Sequence, residues 1–211
     1  MTVLSGGQAA VKALEVEETE LIFGLIGSAT MEMFDALYDS QTIQFIGVHD
    51  ERTGTHMADG YARASGKAGV ILAGQNGPGA TNLVTGLAQA KAAYSPVVSI
   101  AGMLATGHLY RDAFQEVDQQ SLFTPVTKKT WTVPTTDRVP ELVREAHRVA
   151  LSPRKGPVQL NLPRDVLAGQ GEFDAQAFCP PHASRSQAMP YAGPQQINQA
   201  AHMLAKAKQP D

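Results

Sequence analysis

Short apolar runs alternate with longer amphipathic stretches along this chain, and that alternation limits the possible folds more than any other feature. Residues 21–26, 43–48, 69–73, 97–101 and 157–162 are runs rich in Val, Ile, Leu and Phe, and each reads as a buried strand. Residues 128–133 read as a further strand. Residues 8–18, 31–39, 51–64, 80–94 and 139–151 place apolar side chains at helical spacing. Ser5 is positioned to cap the first helix, and Ser28 or Thr30 the second. Parallel strands need long crossovers and these helices supply them, so the predicted fold class is α/β: a doubly wound, mostly parallel sheet flanked by helices.

With 211 residues and 43% hydrophobic composition, the chain is long enough to bury one core, with or without an appendage. A net charge of −3, with 18% charged residues and no Lys/Arg run, argues against a nucleic-acid partner. No stretch approaches the roughly 18–20 apolar residues of a membrane span, and the first residues lack the layout of a signal peptide. Cys179 is the only cysteine, which excludes a disulfide framework. A cytoplasmic protein is expected. Beyond residue 168 the alternation stops. Residues 169–194, with Pro180, Pro181, a Ser-containing stretch at 184–186 and prolines at 190 and 194, read as a linker. Residues 195–208 then read as a helix with Ile197, Ala200, Ala201 and Leu204 on one side. The expected division is therefore a domain over 1–168, a linker over 169–194, and over 195–211 the first helix of a further, truncated domain.

The candidate site residues lie at strand ends. Glu51 follows the apolar run 43–48 and opens a helix, beside the glycine-rich Gly74-Gln75-Asn76-Gly77-Pro78-Gly79 that follows another strand. The carboxyl ends of parallel strands are where open α/β sheets bind ligands. The glycine segment is not a P-loop, because Ala80 stands where the phosphate-binding Lys belongs. Nor is it a Rossmann fingerprint, because Asn82 stands where the last Gly belongs. It reads as a tight turn that brings backbone close to something, with Pro78 fixing its shape. Gly24-Leu25-Ile26-Gly27-Ser28-Ala29-Thr30 and Phe114-Gln115-Glu116-Val117-Asp118-Gln119-Gln120 lie in the corresponding loops of other strands. Each of these segments, taken alone, is also consistent with an ordinary turn, and Glu51 with an acidic first-turn residue favoured by the helix dipole. The histidines form no H-E-x-x-H pair, so no metal ligands are assigned, and no G-x-S-x-G elbow offers a hydrolase nucleophile.

Taken in order, these segments resemble the pyrimidine-binding domain of thiamine-diphosphate enzymes of the acetolactate synthase family. The resemblance runs from about Ser5 to Val166. It includes Phe23 to Ser28, Glu51 with His56-Met57-Ala58-Asp59-Gly60-Tyr61-Ala62-Arg63, Gly77 to Asn82, Ser95-Pro96, Phe114-Gln115-Glu116, Thr127-Lys128, Gly156-Pro157 and Pro163 to Val166. It implies that Glu51 hydrogen-bonds a ring nitrogen of the cofactor's aminopyrimidine and favours its imino tautomer. A carboxyl in that role needs a raised pKa and hence a water-poor pocket, which Val48, Ile46 and the glycine turns are expected to supply. It further implies that Leu25, Ile26, Gly27, Pro78 and Asn82 line the pyrimidine site and that Gln115 reaches the reaction centre. The implied substrate is a 2-oxo acid such as pyruvate.

The chain departs from the family pattern at Ile26, where Pro is common, at Asp50, where His is common, and at Gln75-Asn76, where Thr-Ser is common. Its loops also resemble the sulfoacetaldehyde acetyltransferase branch, which transfers acetyl to phosphate, and a non-catalytic binding or regulatory protein on the same fold is a further alternative. No Gly-Asp-Gly segment is present, so the magnesium ligands are expected in a missing domain, where flavin (FAD), if used, would also be held. The 211 residues alone are expected to be inactive. A homodimer or homotetramer is expected, with the helices 51–64 and 80–94 meeting through Gly60, Gly86, Ala88 and Ala92.

Overall fold

In the strand at residues 69–73, Val70 and Leu72 are buried in one apolar cluster and Ile71 and Ala73 in another. Side chains alternate between the two faces of a strand, so an uninterrupted apolar run is what a sheet covered on both sides requires. The computed structural model describes residues 1–184 and 192–208. In chain order its elements are β1 (Thr2–Ser5), α1 (Gly6–Val16), β2 (Leu21–Leu25), α2 (Met31–Asp39), β3 (Gln44–Gly47), α3 (Glu51–Ser65), β4 (Gly69–Ala73), α4 (Pro78–Asn82), α5 (Val84–Ala92), β5 (Val97–Met103), α6 (Gln119–Phe123), β6 (Thr130–Thr132), α7 (Val139–Leu151), β7 (Val158–Pro163), α8 (Arg164–Ala168), β8 (Gln170–Phe173), α9 (Pro181–Ser184) and α10 (Pro194–Lys206).

Six strands form one sheet in the order β3-β2-β4-β5-β7-β6, parallel at every pairing. The α/β expectation holds. Residues of α1, α2 and α7 share a cluster with one face, while Ala58 of α3, Ala80 of α4, Leu87 of α5 and Phe123 of α6 pack on the other. The chain passes from β2 outward to β3, then returns to the other side of β2 to lay down β4. This reversal opens a crevice beyond the carboxyl ends of β2 and β4, the ligand position in such sheets.

Three local readings change. The stretch 80–94 is not one helix: α4 starts two residues earlier, and the chain breaks at Leu83 before α5. Residues 170–173, read as linker, form β8, which pairs antiparallel with β1 from Thr2↔Phe173 to Ser5↔Gln170. No apolar periodicity marks this ladder, because its bonds are main-chain and join the two ends of the unit. The α2 cap is not made by Ser28 or Thr30, neither of which caps it through its side chain; the Ser28 hydroxyl donates instead to Gln75 Oε1 at 3.0 Å. By contrast Ser5 does cap α1, accepting the Gln8 N–H while the Gln8 side chain accepts from Ser5 N. The linker reading at 185–191 lies outside the described residues, as do 209–211. Among the described residues no helix is long and apolar enough to cross a membrane.

His147 of α7 is 1% exposed. Its Nδ1 donates to the Val143 carbonyl at 3.0 Å, and Nε2 lies 3.4 Å from the Thr19 hydroxyl. Burial outweighs the favourable Val143 bond and lowers its pKa to about 4. The unfolded chain takes up this proton near 6.5, so between pH 6.5 and 4 it binds more protons than the folded one, and stability falls as pH drops through that window. His147 is predicted to account for about 3 kcal/mol of that loss. Urea unfolding of the wild type and of His147→Gln across pH 7 to 4 checks this: the variant should lack that component of the slope.

Candidate functional site

Asp50 opens α3, its carboxylate accepting the Arg52 N–H at 2.8 Å. The next residue, Glu51, is turned inward and only 5% exposed. A buried carboxylate needs hydrogen-bond donors, and Asn82 Nδ2 at the end of α4 donates to Glu51 Oε2 at 3.0 Å. The other oxygen faces Gly79. A Cβ at residue 79 would stand 2.9 Å from Glu51 Oε1 and 3.1 Å from the Gln75 Cβ. Glycine at 79 lets the carboxylate approach this closely, and a Cβ there would oblige Glu51 Oε1 to shift. Behind Glu51 the Thr55 hydroxyl donates to its carbonyl at 2.7 Å.

On the other side of the same turn, Gln75 and Asn76 grip the loop after β5. Gln75 Nε2 donates to Gln115 Oε1 at 2.5 Å, and Asn76 Nδ2 donates to the Gln115 carbonyl at 3.1 Å. Gly77 has φ +52°, and a Cβ there would lie 2.2 Å from the Gln115 carbonyl oxygen. Gln115 itself has φ 63°, a strained backbone for a residue with a side chain. The Gln75 Oε1 accepts from both Ser28 N and Ser28 Oγ, so a single amide links the loops after β2, β4 and β5. Glu116 accepts main-chain N–H groups of Tyr110, Arg111 and Ala113, which hold its carboxyl below the usual range and close the loop before Gln115.

The predicted site residues therefore fall into two groups separated by the 75–79 turn. Glu51, Asn82 and Pro78, the last exposed at the first turn of α4, form one. Gln115 belongs to the other, on the wall of a cavity of about 270 Å³ that Ser28, Gln75, His108 and Arg164 also line. The Leu25 carbonyl accepts the Gly74 N–H at 3.0 Å, tying the first glycine segment to the second, with Gly27 packed against Gly74. Ile26 projects outward, 67% exposed. Gln75 and Gly79 were not recognised as site residues from sequence. Gln75 showed only as a departure from the family pattern, and Gly79 only as one glycine among several. Val48 is buried on the same side as α3, its side chain lying over Gly54. Among the described residues no group of three or more His, Cys, Asp or Glu side chains is placed to hold a metal ion.

A doubly wound sheet with a buried glutamate at its switch point defines the class. Residues 4–122 match the family of the thiamine pyrophosphate enzyme N-terminal TPP binding domain, and the chain belongs to that family. It is 41% identical to the probable acetolactate synthase large subunit of Methanocaldococcus jannaschii over 98% of its own length and 35% of that protein. It is 38% identical to the acetolactate synthase of Mycobacterium bovis over 98% of its length and 33% of that protein. With the acetolactate synthase large subunit of Buchnera aphidicola subsp. Schizaphis graminum it shares 37% identity over 100% of its length and 37% of that protein. The chain thus spans about a third of the length of the curated relatives it matches.

The Glu51–Asn82 bond should be visible in the energetics of the chain. In a double-mutant cycle on Glu51→Ala and Asn82→Ala, followed by urea unfolding, the coupling energy is expected to be about 1 kcal/mol. A cycle that closes to zero would mean the two side chains do not interact.

Proposed function

We propose that this chain is the pyrimidine-binding part of a thiamine-diphosphate-dependent enzyme of the acetolactate synthase type, acting on a 2-oxo acid. The observation that carries the reading is the Glu51 carboxyl: buried, steadied by Asn82 on one oxygen, and lying with the other against Gly79, where there is no side chain to displace it. A cradle of this kind suits a flat heteroaromatic ring whose nitrogen exchanges a proton with a carboxyl. When bound, thiamine diphosphate supplies the carbanion chemistry at the 2-oxo carbon. The chain's own work is to place a protonatable group: Glu51 holds or gives up a proton to the ring, Asn82 orients it, and burial keeps water from competing. Leu25, Ile26, Gly27 and Pro78 flank the cofactor in this proposal. Gln115, fixed by Gln75 and Asn76, faces the reacting substrate.

The domain division follows the same reading, with residues 1–168 as the cofactor domain, 169–194 as a linker and 195–211 as the entry to a further domain. Magnesium, the diphosphate and, where used, FAD are assigned to segments beyond those described. That the curated relatives are about three times as long as this chain supports that assignment. Their names also favour the acetolactate synthase reading over acetyl transfer to phosphate. A cytoplasmic homodimer or homotetramer is proposed, with the outer faces of α3 and α5 in contact. Gly60, Ala88 and Ala92 are exposed there, whereas Gly86 is already used within the chain, packed against Thr55.

In the complete enzyme carrying this domain, Glu51→Gln is expected to lower turnover of pyruvate by about 10²- to 10⁴-fold, the range of general acid–base catalysis. An unchanged rate in folded, cofactor-saturated enzyme would remove Glu51 from this role. The 211-residue chain alone is expected to show no turnover with thiamine diphosphate and magnesium, and release of carbon dioxide from pyruvate by it would overturn the division of labour proposed here.

A further inference from the structure

A cavity lies far from Glu51, at the amino-terminal ends of β5, β6 and β7. It has a volume of about 570 Å³, within the ordinary range for small-molecule sites. Four cationic side chains line it, Lys91, Lys128, Arg154 and Lys155, and no acidic side chain does. Among the described residues none of the four forms an ion pair with a carboxylate. Their hydrogen bonds go to neutral oxygens instead: Lys91 Nζ to the Pro125 carbonyl at 2.8 Å, Lys128 Nζ to the Val149 carbonyl at 2.5 Å, the Ser152 hydroxyl at 2.9 Å and the Ser152 carbonyl at 3.3 Å, Arg154 to the Tyr94 hydroxyl, and Lys155 Nζ to the Gly66 carbonyl at 3.5 Å.

Helix ends offset part of this charge. The carboxyl ends of α5 and α7 border the cavity, and each is equivalent to about half a negative charge. Together they balance about one of the four cations and leave about three. Burial, and then the positive charge of Arg148, hold the Lys128 ammonium below the usual lysine range.

The walls are also shaped. Tyr94 and Arg154 both hold positive φ, 55° and 50°, an uncommon backbone for residues with side chains. The two meet across the cavity, with the guanidinium 4.6 Å from the Tyr94 ring centroid. The stem of Lys128 crosses bare backbone at Gly156, where a Cβ would stand 3.0 Å from its Cγ and Cδ. Tyr94 takes its φ as the residue that ends α5, with the Ser95 N–H donating to the Ala90 carbonyl at 2.9 Å, and its contact with Arg154 holds the ring and the guanidinium together.

We propose that this cavity is a second ligand site, taking a small organic anion with more than one phosphate group. A single phosphate monoester brings only about −1.5 to −2 charges at neutral pH, less than the residual positive charge. The volume leaves room for an organic group beside the phosphates. The site lies at the opposite end of the sheet from Glu51 and does not depend on the role given to that residue; Ala88 and Ala92, which also line it, belong to the α5 face proposed for subunit contact.

Calorimetric titration of the 211-residue chain with inorganic pyrophosphate and with ADP tests this. Both probes should bind saturably, ADP more tightly, and affinity should fall as salt is raised. Arg154→Asn with Lys155→Gln, the first chosen because Asn tolerates positive φ, should weaken both probes at least tenfold in a chain that still unfolds cooperatively in urea. Lys91→Gln, on a different element, should weaken them several-fold, while Gln115→Ala should leave binding unchanged. Absence of saturable binding by either probe, unchanged affinity in both cavity variants, or loss of binding on Gln115→Ala would each overturn the proposal.

Discussion

The carboxyl end of the sheet is organised by the close approach of the Glu51 carboxylate to Gly79. Because residue 79 is glycine, the carboxylate can lie against the first turn of α4 with Asn82 as its donor. Earlier in the same turn, Gln75 and Asn76 hold Gln115. The 75–79 segment thus acts as a spacer between an acid and an amide whose separation it sets. Rigid strands on either side carry that spacing: β4 delivers the turn, and its neighbours β2 and β5 deliver the loops that Gln75 joins.

Much of the fold was legible in the sequence, and the reason is visible in β4 and α7. A strand buried on both faces must be apolar throughout, and a helix packed on one face must repeat its apolar positions every three or four residues. Those local patterns located α2, β4 and α7 without error at either end. What stayed hidden was set by distant partners. The β1–β8 ladder is made by main-chain groups at opposite ends of the unit, and neither segment shows a strand's alternation. The break at Leu83 separates two short helices that meet α3 at different points, α4 at Glu51 and α5 one turn further on at Thr55.

The site was legible in its chemistry and less so in its supports. Glu51 and Asn82 could be singled out by position and resemblance, and the structure joins them by a hydrogen bond. Gln75 could not, because its importance lies in bridging Ser28 to Gln115 across three loops. Ser28 looked like a helix cap for a related reason: a hydroxyl ahead of a helix has two plausible partners, and only the fold decides between them. The same holds for Gly86, which reads as a surface for another helix of any origin and is occupied by Thr55 of the same chain.

The β1–β8 pairing has a mechanical consequence. Thr2 lies opposite Phe173, so the polypeptide enters and leaves this unit at the same corner, side by side. A pull on the chain beyond Phe173 against the amino terminus would load the ladder one residue pair at a time, from Thr2–Phe173 inward, rather than all pairs together in shear. Such a clasp yields like a zip. Phe173 and Phe178 anchor the outgoing segment beside it, since both pack into the cluster with α1 and α7.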